Sequence, residues 1–310
     1  MKIGVIGSVM FDILSYTDEM PLPGETREVQ GFGLGCGGKG ANQAIAAARL
    51  GADVMMLARV GDDMFGEKSL ANFVNYHVDT KHVLPVAGIA NGIATVIVES
   101  TSQNRILIHK GANAYVTKED IEAAAAELSE CSLLILQLEI NLDAVYAAIE
   151  FANQRNIPVL LNPAPASAEL SLDWACRCDF FVPNETELSI LTGLPVDTNE
   201  QIKVAAQTLL DRGLKNIIVT MGSRGSMWLT KEDLVVVPSY KVEAVDTTGA
   251  GDAFIGCFAD TYVKTGDVVL SMKRASAFAA ISVTRRGTQV AYPDEAELAA
   301  FLQRSEEHTS

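Results

Sequence analysis

Residues 245–254, VDTTGAGDAF, set a carboxylate beside a run of small residues where a strand ending gives way to a helix. Glycine and alanine let a backbone approach a ligand closely, and a helix start turns unpaired N–H groups toward an anion. Asp252 falls in the first turn of that helix. A carboxylate so placed accepts the proton of a hydroxyl that attacks a bound phosphoryl group. A plainer arrangement fits the same residues, with Asp252 capping the helix while Gly249 and Gly251 make a turn. Residue types alone leave both open.

A second stretch, residues 35–44 (GCGGKGANQA), nearly forms a P-loop as Gly33-x4-Gly38-Lys39. The next residue is Gly40, where a P-loop needs Ser or Thr for magnesium, and the preceding strand reads as exposed instead of buried. A P-loop is therefore excluded. What remains is a glycine-rich helix start carrying Lys39 and Asn42, suited to polyhydroxyl or phosphate contacts, or else a tight turn. Gly4-x-x-Gly7 lacks the third glycine of a dinucleotide fingerprint. His77, His82, His109 and His308 show no metal-ligand spacing and read as surface or hairpin histidines. The five cysteines (Cys36, Cys131, Cys176, Cys178, Cys257) are scattered, which predicts buried structural thiols in a reducing compartment.

These residues need a frame, and hydropathy patterning predicts one. Residues 2–6 read as a short apolar strand and 26–35 as an exposed, glycine-rich one. A helix ending at Gly51, the buried strand DVMMLARVG and a helix through about Tyr76 follow. The runs GIATVIVES and NRILIHKG flank residues 101–103 and predict a hairpin. From Thr117, helices over 117–129, 142–154, ETELSILTG and 199–212 alternate with the strands LLILQLE, IPVLLNPAP, DFFVPN and NIIVTMG. That alternation implies βαβ units and a parallel sheet covered on both faces. Helices over 250–265, 267–284 and from Asp294 complete the chain. The hairpin and the glycine-rich strand stand outside the pattern and predict a small β lid, formed by about 12–36 and 91–110.

The chain has 310 residues, 48% hydrophobic and 20% charged, which suits one large α/β domain and excludes a disordered chain. Asp and Glu number 39 against 24 Lys and Arg, so a nucleic-acid binder with its basic stripe is excluded. The acidity does not exclude an anionic substrate, because backbone N–H groups, a helix terminus, magnesium and Lys39 would hold phosphate locally. The N-terminus lacks the apolar core and cleavage site of a signal peptide, and no apolar run reaches the roughly 20 residues of a membrane helix. A soluble cytoplasmic protein is expected, without a membrane partner. Residues 304–310 (RSEEHTS) are polar, follow a helix expected to end at Gln303, and match the translation of a common sequencing adapter. They read as a non-native or disordered tail to a domain spanning 1–303.

GGKGAN near the N-terminus together with DTTGAGD near the C-terminus resembles the ribokinase-like, PfkB-type sugar kinases. The resemblance covers essentially the whole chain, through PGET (23–26), LNPAPA (161–166), PNETE (183–187), GSRG (222–225) and AAISVTRRGTQ (279–289). It is strongest to members acting on ribose and 2-deoxyribose. It implies a three-layer α/β/α fold with a mainly parallel sheet and a β lid that commonly also forms a homodimer contact. The implied activity is ATP-dependent phosphorylation of the pentose 5-hydroxyl, with Mg2+ and with K+ as activator. Asp252 would be the catalytic base, and the N–H groups of Gly249, Ala250 and Gly251 the anion hole. Asp12, Gly38, Lys39, Gly40, Ala41, Asn42 and Glu139 would hold the sugar. Asn184 and Glu187 match the Asn-x-x-Glu element tied to phosphate and magnesium placement. Thr220, Met221, Gly222, Ser223, Arg224 and Gly225 would line the nucleotide site. Asp246, Thr248, Ser282, Arg285, Gly287 and Ala291 fall where the family binds potassium, largely through carbonyls.

Two positions depart from the ribose-specific pattern. Met10 stands where Asn is usual, two residues before the sugar-binding Asp12. Burying a hydroxyl against Met without a partner costs roughly 1–3 kcal/mol, about tenfold to a hundredfold in affinity. Members acting on 2-deoxyribose resemble this sequence in having Met, so 2-deoxyribose is favoured over ribose. Ser276 replaces a His near the adenine, which weakens the transfer of that one contact. The alternatives are another sugar or nucleoside kinase of the family, or a non-catalytic sugar-binding regulator, against which the intact Asp252 and its glycines speak.

Overall fold

The computed structural model describes residues 1–99 and 104–307. Its first half contains β1 (Lys2–Ile6), β2 (Met10–Thr17), β3 (Gly31–Gly37), α1 (Lys39–Arg49), β4 (Asp53–Gly61), α2 (Met64–Asn75), β5 (Asp79–Val86), β6 (Gly92–Glu99) and β7 (Asn104–His109). There follow α3 (Lys118–Ala123), α4 (Ala125–Leu128), β8 (Cys131–Leu136), α5 (Leu142–Arg155), β9 (Val159–Leu161), α6 (Leu172–Ala175), β10 (Phe180–Phe181), α7 (Glu185–Thr192) and α8 (Asn199–Asp211). The chain closes with β11 (Asn216–Thr220), β12 (Ser226–Leu229), β13 (Leu234–Val237), α9 (Ala250–Thr265), α10 (Val268–Ser282) and α11 (Glu295–Glu307).

Nine strands form one sheet in the order β13-β12-β11-β10-β9-β8-β1-β4-β5, parallel except at the β11-β12-β13 end. Side chains of the central strands alternate between two cores. Ile3, Val5, Leu133 and Ile135 join one, while Ile6, Leu134 and Leu136 join the other. Both faces are covered, so these strands carry no polar side and read as continuous apolar runs. The chain moves outward from β1 through β4 to β5 on one side, and from β8 through β11 on the other. The reversal between β1 and β8 opens a crevice at the strands' C-terminal ends, where ligands of open α/β sheets bind. A second sheet, β3-β2-β6-β7, lies beside α1 and α2, with β2 and β6 parallel and the outer pairs antiparallel.

Several expected elements differ. The helix over 117–129 is two short helices broken at Ala124 (φ −94°, ψ 8°), a break that an alanine run does not announce. The apolar runs at IPVLLNPAP and DFFVPN pair over only three and two residues. Several of their remaining residues, Ile157, Asn162, Ala164 and Val182, are buried outside the strands, and apolar content alone does not separate the two states. Strands β5, β12 and β13 were not anticipated, since β5 contains Pro85 and the other two span four residues each. Helix α11 continues to Glu307 instead of ending at Gln303, with Ser305 Oγ donating to the Phe301 carbonyl. Residues 101–103 of the hairpin turn and His308 lie outside the described residues. No described helix is long and apolar enough to cross a membrane.

Candidate active site

The start of α1 packs against the loop after β1 too closely for side chains. A Cβ at Gly38 (φ 92°) would lie 2.6 Å from the Met10 N, and one at Gly40 2.6 Å from the Ser8 N. Gly38 cannot cap the helix, so its first N–H groups find partners across the fold. Lys39 N–H donates to Glu139 Oε2 (3.0 Å) and Gly40 N–H to Ser8 Oγ (3.3 Å), while the Ser8 hydroxyl donates to that same Glu139 oxygen. Glu139, just past β8, is thereby fixed at the positive end of α1.

Helix α9 starts on Gly249, whose left-handed backbone (φ 75°) excludes a Cβ that would lie 2.2 Å from Thr288 Cγ2. The Gly249 carbonyl accepts from Tyr292 Oη (3.2 Å) and from Ala253 N–H (2.8 Å). The Ala250 N–H turns back onto the Thr247 carbonyl (3.2 Å). This corrects the expected three-donor hole, because the tight turn at Gly249 folds Ala250 inward. The N–H groups of Gly249, Gly251 and Asp252 have no acceptor among the described residues. A Cβ at Gly251 would meet nothing within 4 Å, so this helix end is open.

The Asp252 carboxylate is 7% exposed and accepts from Asn42 Nδ2 (2.9 Å) and Gln43 Nε2 (2.8 Å). The two amides reach it because α1 and α9 touch at Gly256, where a Cβ would lie 2.5 Å from Ala46 Cβ. Asn42, expected to hold the sugar, therefore holds the expected base, and its Oδ1 accepts from Gln289 Nε2 (2.8 Å). Ser8 and Gln43 were missed by the sequence reading. The available signal was a buried glutamine in an alanine-rich helix.

Asp12 pairs with Gly35 across β2 and β3, and its carboxylate leans over Gly37, where a Cβ would lie 2.3 Å from Oδ2. No described residue donates a hydrogen bond to its carboxylate. Burial, reinforced by the charges of Glu139 and Asp252, pushes it up to about 7. Burial draws Lys39 the other way, but Asp252, Glu139 and Glu187 together hold its ammonium above its ordinary value. Lys39 makes no ion pair among the described residues, so its charge is available to an incoming anion. Met10 lies on the same face of β2 as Asp12, and its buried Sδ is 3.5 Å from Asn113 Nδ2. Asn113 is otherwise committed to both backbone polar groups of Val9 and to the Lys110 carbonyl.

Asn184 and Glu187 form a capping box at the start of α7: Glu187 N–H donates to Asn184 Oδ1 (2.8 Å), and Asn184 N–H to Glu187 Oε2 (2.8 Å). Burial raises the Glu187 carboxyl against the opposing pull of the Asn184 N–H and Lys39. Thr220 N–H bonds the Pro183 carbonyl (3.0 Å), which joins this element to the loop from Thr220 to Gly225. That loop depends on Gly225 (φ 91°), where a Cβ would lie 2.0 Å from the Val237 carbonyl. Two of its side chains are not free for a nucleotide. Met221 is packed in the core, and Arg224 braces Glu185 and the carbonyls of Val196 and Asp197. Met221 is buried, while the braced Arg224 guanidinium remains part-exposed. Ser276 is buried on α10.

Asp246 ties two loops together, accepting from Thr248 N–H (2.9 Å) and Gly287 N–H (3.0 Å). Arg285 pairs with Glu297, Ser282 Oγ donates to the Ala279 carbonyl, and Ala291 is buried at the end of a 3-10 turn. All five cysteines are free thiols, and burial pushes Cys131 up to about 12 and Cys178 and Cys257 higher still. Among the described residues no group of three or more His, Cys, Asp or Glu could hold a metal ion.

Residues 1–295 match the profile of the pfkB family carbohydrate kinases. A deoxyribokinase of Salmonella typhi is 53% identical over 306 residues, covering 99% of this chain and all of the relative. A ribokinase of Mus musculus is 38% identical, covering 96% and 94% of the two chains. The structure of Arabidopsis thaliana ribokinase complexed with ribose and ATP superposes with a TM-score of 0.91 at 29% identity, covering 97% of this chain and 98% of that one. The chain belongs to the PfkB family of carbohydrate kinases, with the ribokinase-like fold. It is a phosphotransferase whose acceptor is a sugar hydroxyl.

Proposed function

We propose that the protein transfers the γ-phosphoryl group of ATP to the 5-hydroxyl of a pentose, preferring 2-deoxy-D-ribose to D-ribose, and releases the 5-phosphate and ADP. The observation that carries this reading is the buried Asp252 carboxylate in the first turn of α9, beside the open N–H of Gly251. Asp252 takes the hydroxyl proton as the sugar oxygen bonds to the γ-phosphorus. The bond from that phosphorus to the β,γ-bridging oxygen breaks, and the electron pair leaves with ADP. The N–H groups of Gly249 and Gly251 stabilise the charge on the transferring group, supported by Lys39. Asp12 and the uncommitted Oε1 of Glu139 accept hydrogen bonds from the sugar.

Preference for the deoxy sugar is supported by Met10 and Asn113. Met10 presents a thioether, and the neighbouring amide is already bonded to Val9 and Lys110, so a 2-hydroxyl there finds no strong partner. The donor set suits a magnesium ion carried by the nucleotide, which takes phosphates and waters with one or two carboxylates. Glu187 keeps Oε1 free of the capping box for that purpose, and the ion would supply charge neutralisation along the triphosphate. Asp246, Thr248, Ser282, Arg285, Gly287 and Ala291 would hold potassium through carbonyl oxygens, consistent with two loops that Asp246 already ties together. The β3-β2-β6-β7 sheet serves as lid and dimer contact, a role favoured by exposed Phe32 (63%) and Leu107 (70%). The reading places the protein in the cytoplasm, where ATP and free pentoses meet.

Coupled ATP turnover across a panel of pentoses, hexoses and nucleosides tests the assignment. The highest kcat/KM is expected with 2-deoxyribose, and a preferred hexose or nucleoside refutes it. Asp252→Ala is expected to lose at least about two orders of magnitude in kcat while sugar still binds. Sugar binding by the wild type without ATP consumption would indicate a regulator instead.

A further inference from the structure

We infer that Gln43 is a positioning residue, an amide clamp set by Gln137 that holds the Asp252 carboxylate in the orientation from which it takes the sugar's proton. The inference rests on Asp252 being the base. Two chains of side-chain amides converge on this one carboxylate. From one side Asn72 Nδ2 donates to Gln289 Oε1 (2.7 Å), Gln289 Nε2 to Asn42 Oδ1 (2.8 Å), and Asn42 Nδ2 to Asp252 Oδ2 (2.9 Å). From the other, Gln137 Nε2 donates to Gln43 Oε1 (2.7 Å) and Gln43 Nε2 to Asp252 Oδ1 (2.8 Å). An ionised carboxylate only accepts, so it sets the direction of both chains, and each amide polarises the next.

Gln43 has no exposed surface, and its Nε2 also donates to Asn162 Oδ1 (3.2 Å), whose own amide nitrogen donates to the Val182 carbonyl (2.9 Å). Both donors and the acceptor of Gln43 are engaged, which leaves the amide one orientation. Position 43 lies on the buried face of α1 among Ala44, Ala46 and Ala47, where an apolar side chain would avoid the desolvation of an amide. The amide's partners end on the reacting group and not on a remote element. Neutral amides orient the carboxylate without setting a full positive charge against it. Each Asp252 oxygen retains a further lone pair for the sugar hydroxyl.

Gln43→Met keeps the chain length and removes the donors. With 2-deoxyribose and ATP, kcat is expected to fall about 10- to 100-fold while both KM values stay within about threefold, since orientation and not ground-state binding is lost. Gln137→Met is the second variant. Among the described residues Gln137 Oε1 is buried without a partner, so this change removes one orphaned acceptor, which offsets the loss of the bond to Gln43 Oε1. It leaves Gln43 Oε1 without its donor and so loosens the amide that grips Asp252, and a smaller kcat loss is expected. Unchanged kcat in both variants, or a loss carried wholly by KM, overturns the clamp. A crystal structure of Gln43→Met reads it without turnover: the carboxylate is expected to rotate, and an unmoved carboxylate overturns the clamp. Failure of the wild type to phosphorylate any sugar would sink the proposed function instead, and the rotation would still decide the clamp.

Discussion

Asp12→Asn isolates the cost of gathering the Asp12, Glu139 and Asp252 carboxylates at one site. The Asp12 carboxyl is raised from an ordinary 3.8 to about 7, first by burial and then by its two acidic neighbours. Its folded value lies above its unfolded value, so between these pH values the folded state binds the extra proton. The contribution to stability is therefore full below pH 3.8 and is lost as pH rises through about 7. At roughly 1.4 kcal/mol per pK unit, ionised Asp12 costs the sugar-free protein on the order of 4 kcal/mol at pH 8 and under about 2 kcal/mol at pH 5. Asparagine keeps the volume and carries no charge. The variant should gain stability over wild type at pH 8 by some 2–3 kcal/mol more than at pH 5, read from urea denaturation at both pH values. Its sugar KM should rise sharply, because an amide donor replaces one acceptor oxygen and the remaining acceptor is uncharged. Sugar affinity of the wild type should also weaken as pH falls below about 7, as Asp12 becomes protonated. An equal gain at both pH values, or a less stable variant at pH 8, would refute the reasoning.

Gly251→Ala adds a methyl group into open space at an ordinary backbone angle, so Tm should hold within about 1–2 °C while kcat falls at least tenfold from crowding at the phosphoryl site. Met10→Asn should raise the ratio of kcat/KM for ribose over 2-deoxyribose, by about tenfold if the new amide reaches the 2-hydroxyl; an unchanged ratio refutes the specificity argument. Replacing potassium with a large organic cation should lower kcat, and full activity under that exchange would refute the cation site.

Local chemistry was legible where one short segment carries both a backbone geometry and a reactive side chain. In DTTGAGD the left-handed turn at Gly249, the open Gly251 and Asp252 fall within four residues. The βαβ frame was legible too, because strands buried on both faces are apolar throughout. Strands β12 and β13 were not, since four residues are too few for a periodic signal. Asn184-x-x-Glu187 carries the spacing of a capping box, yet Glu187's electrostatic coupling to Lys39 and Asp252 depends on helices brought together from distant parts of the chain.

By itself, then, the sequence determined which residues could do the chemistry and that a mainly parallel sheet would present them. Tertiary structure alone decided which of those residues meet. Glu139 caps a helix a hundred residues away, Gln43 and Asn42 grip Asp252 from another helix, and Asp12 is crowded by two carboxylates from separate elements. Met221 and Arg224, chosen by position, turned out to be packed or braced. The physical reason is common to all of these. Hydrogen-bond partners and desolvation are properties of the space around a side chain, and that space exists only once the chain has closed around it.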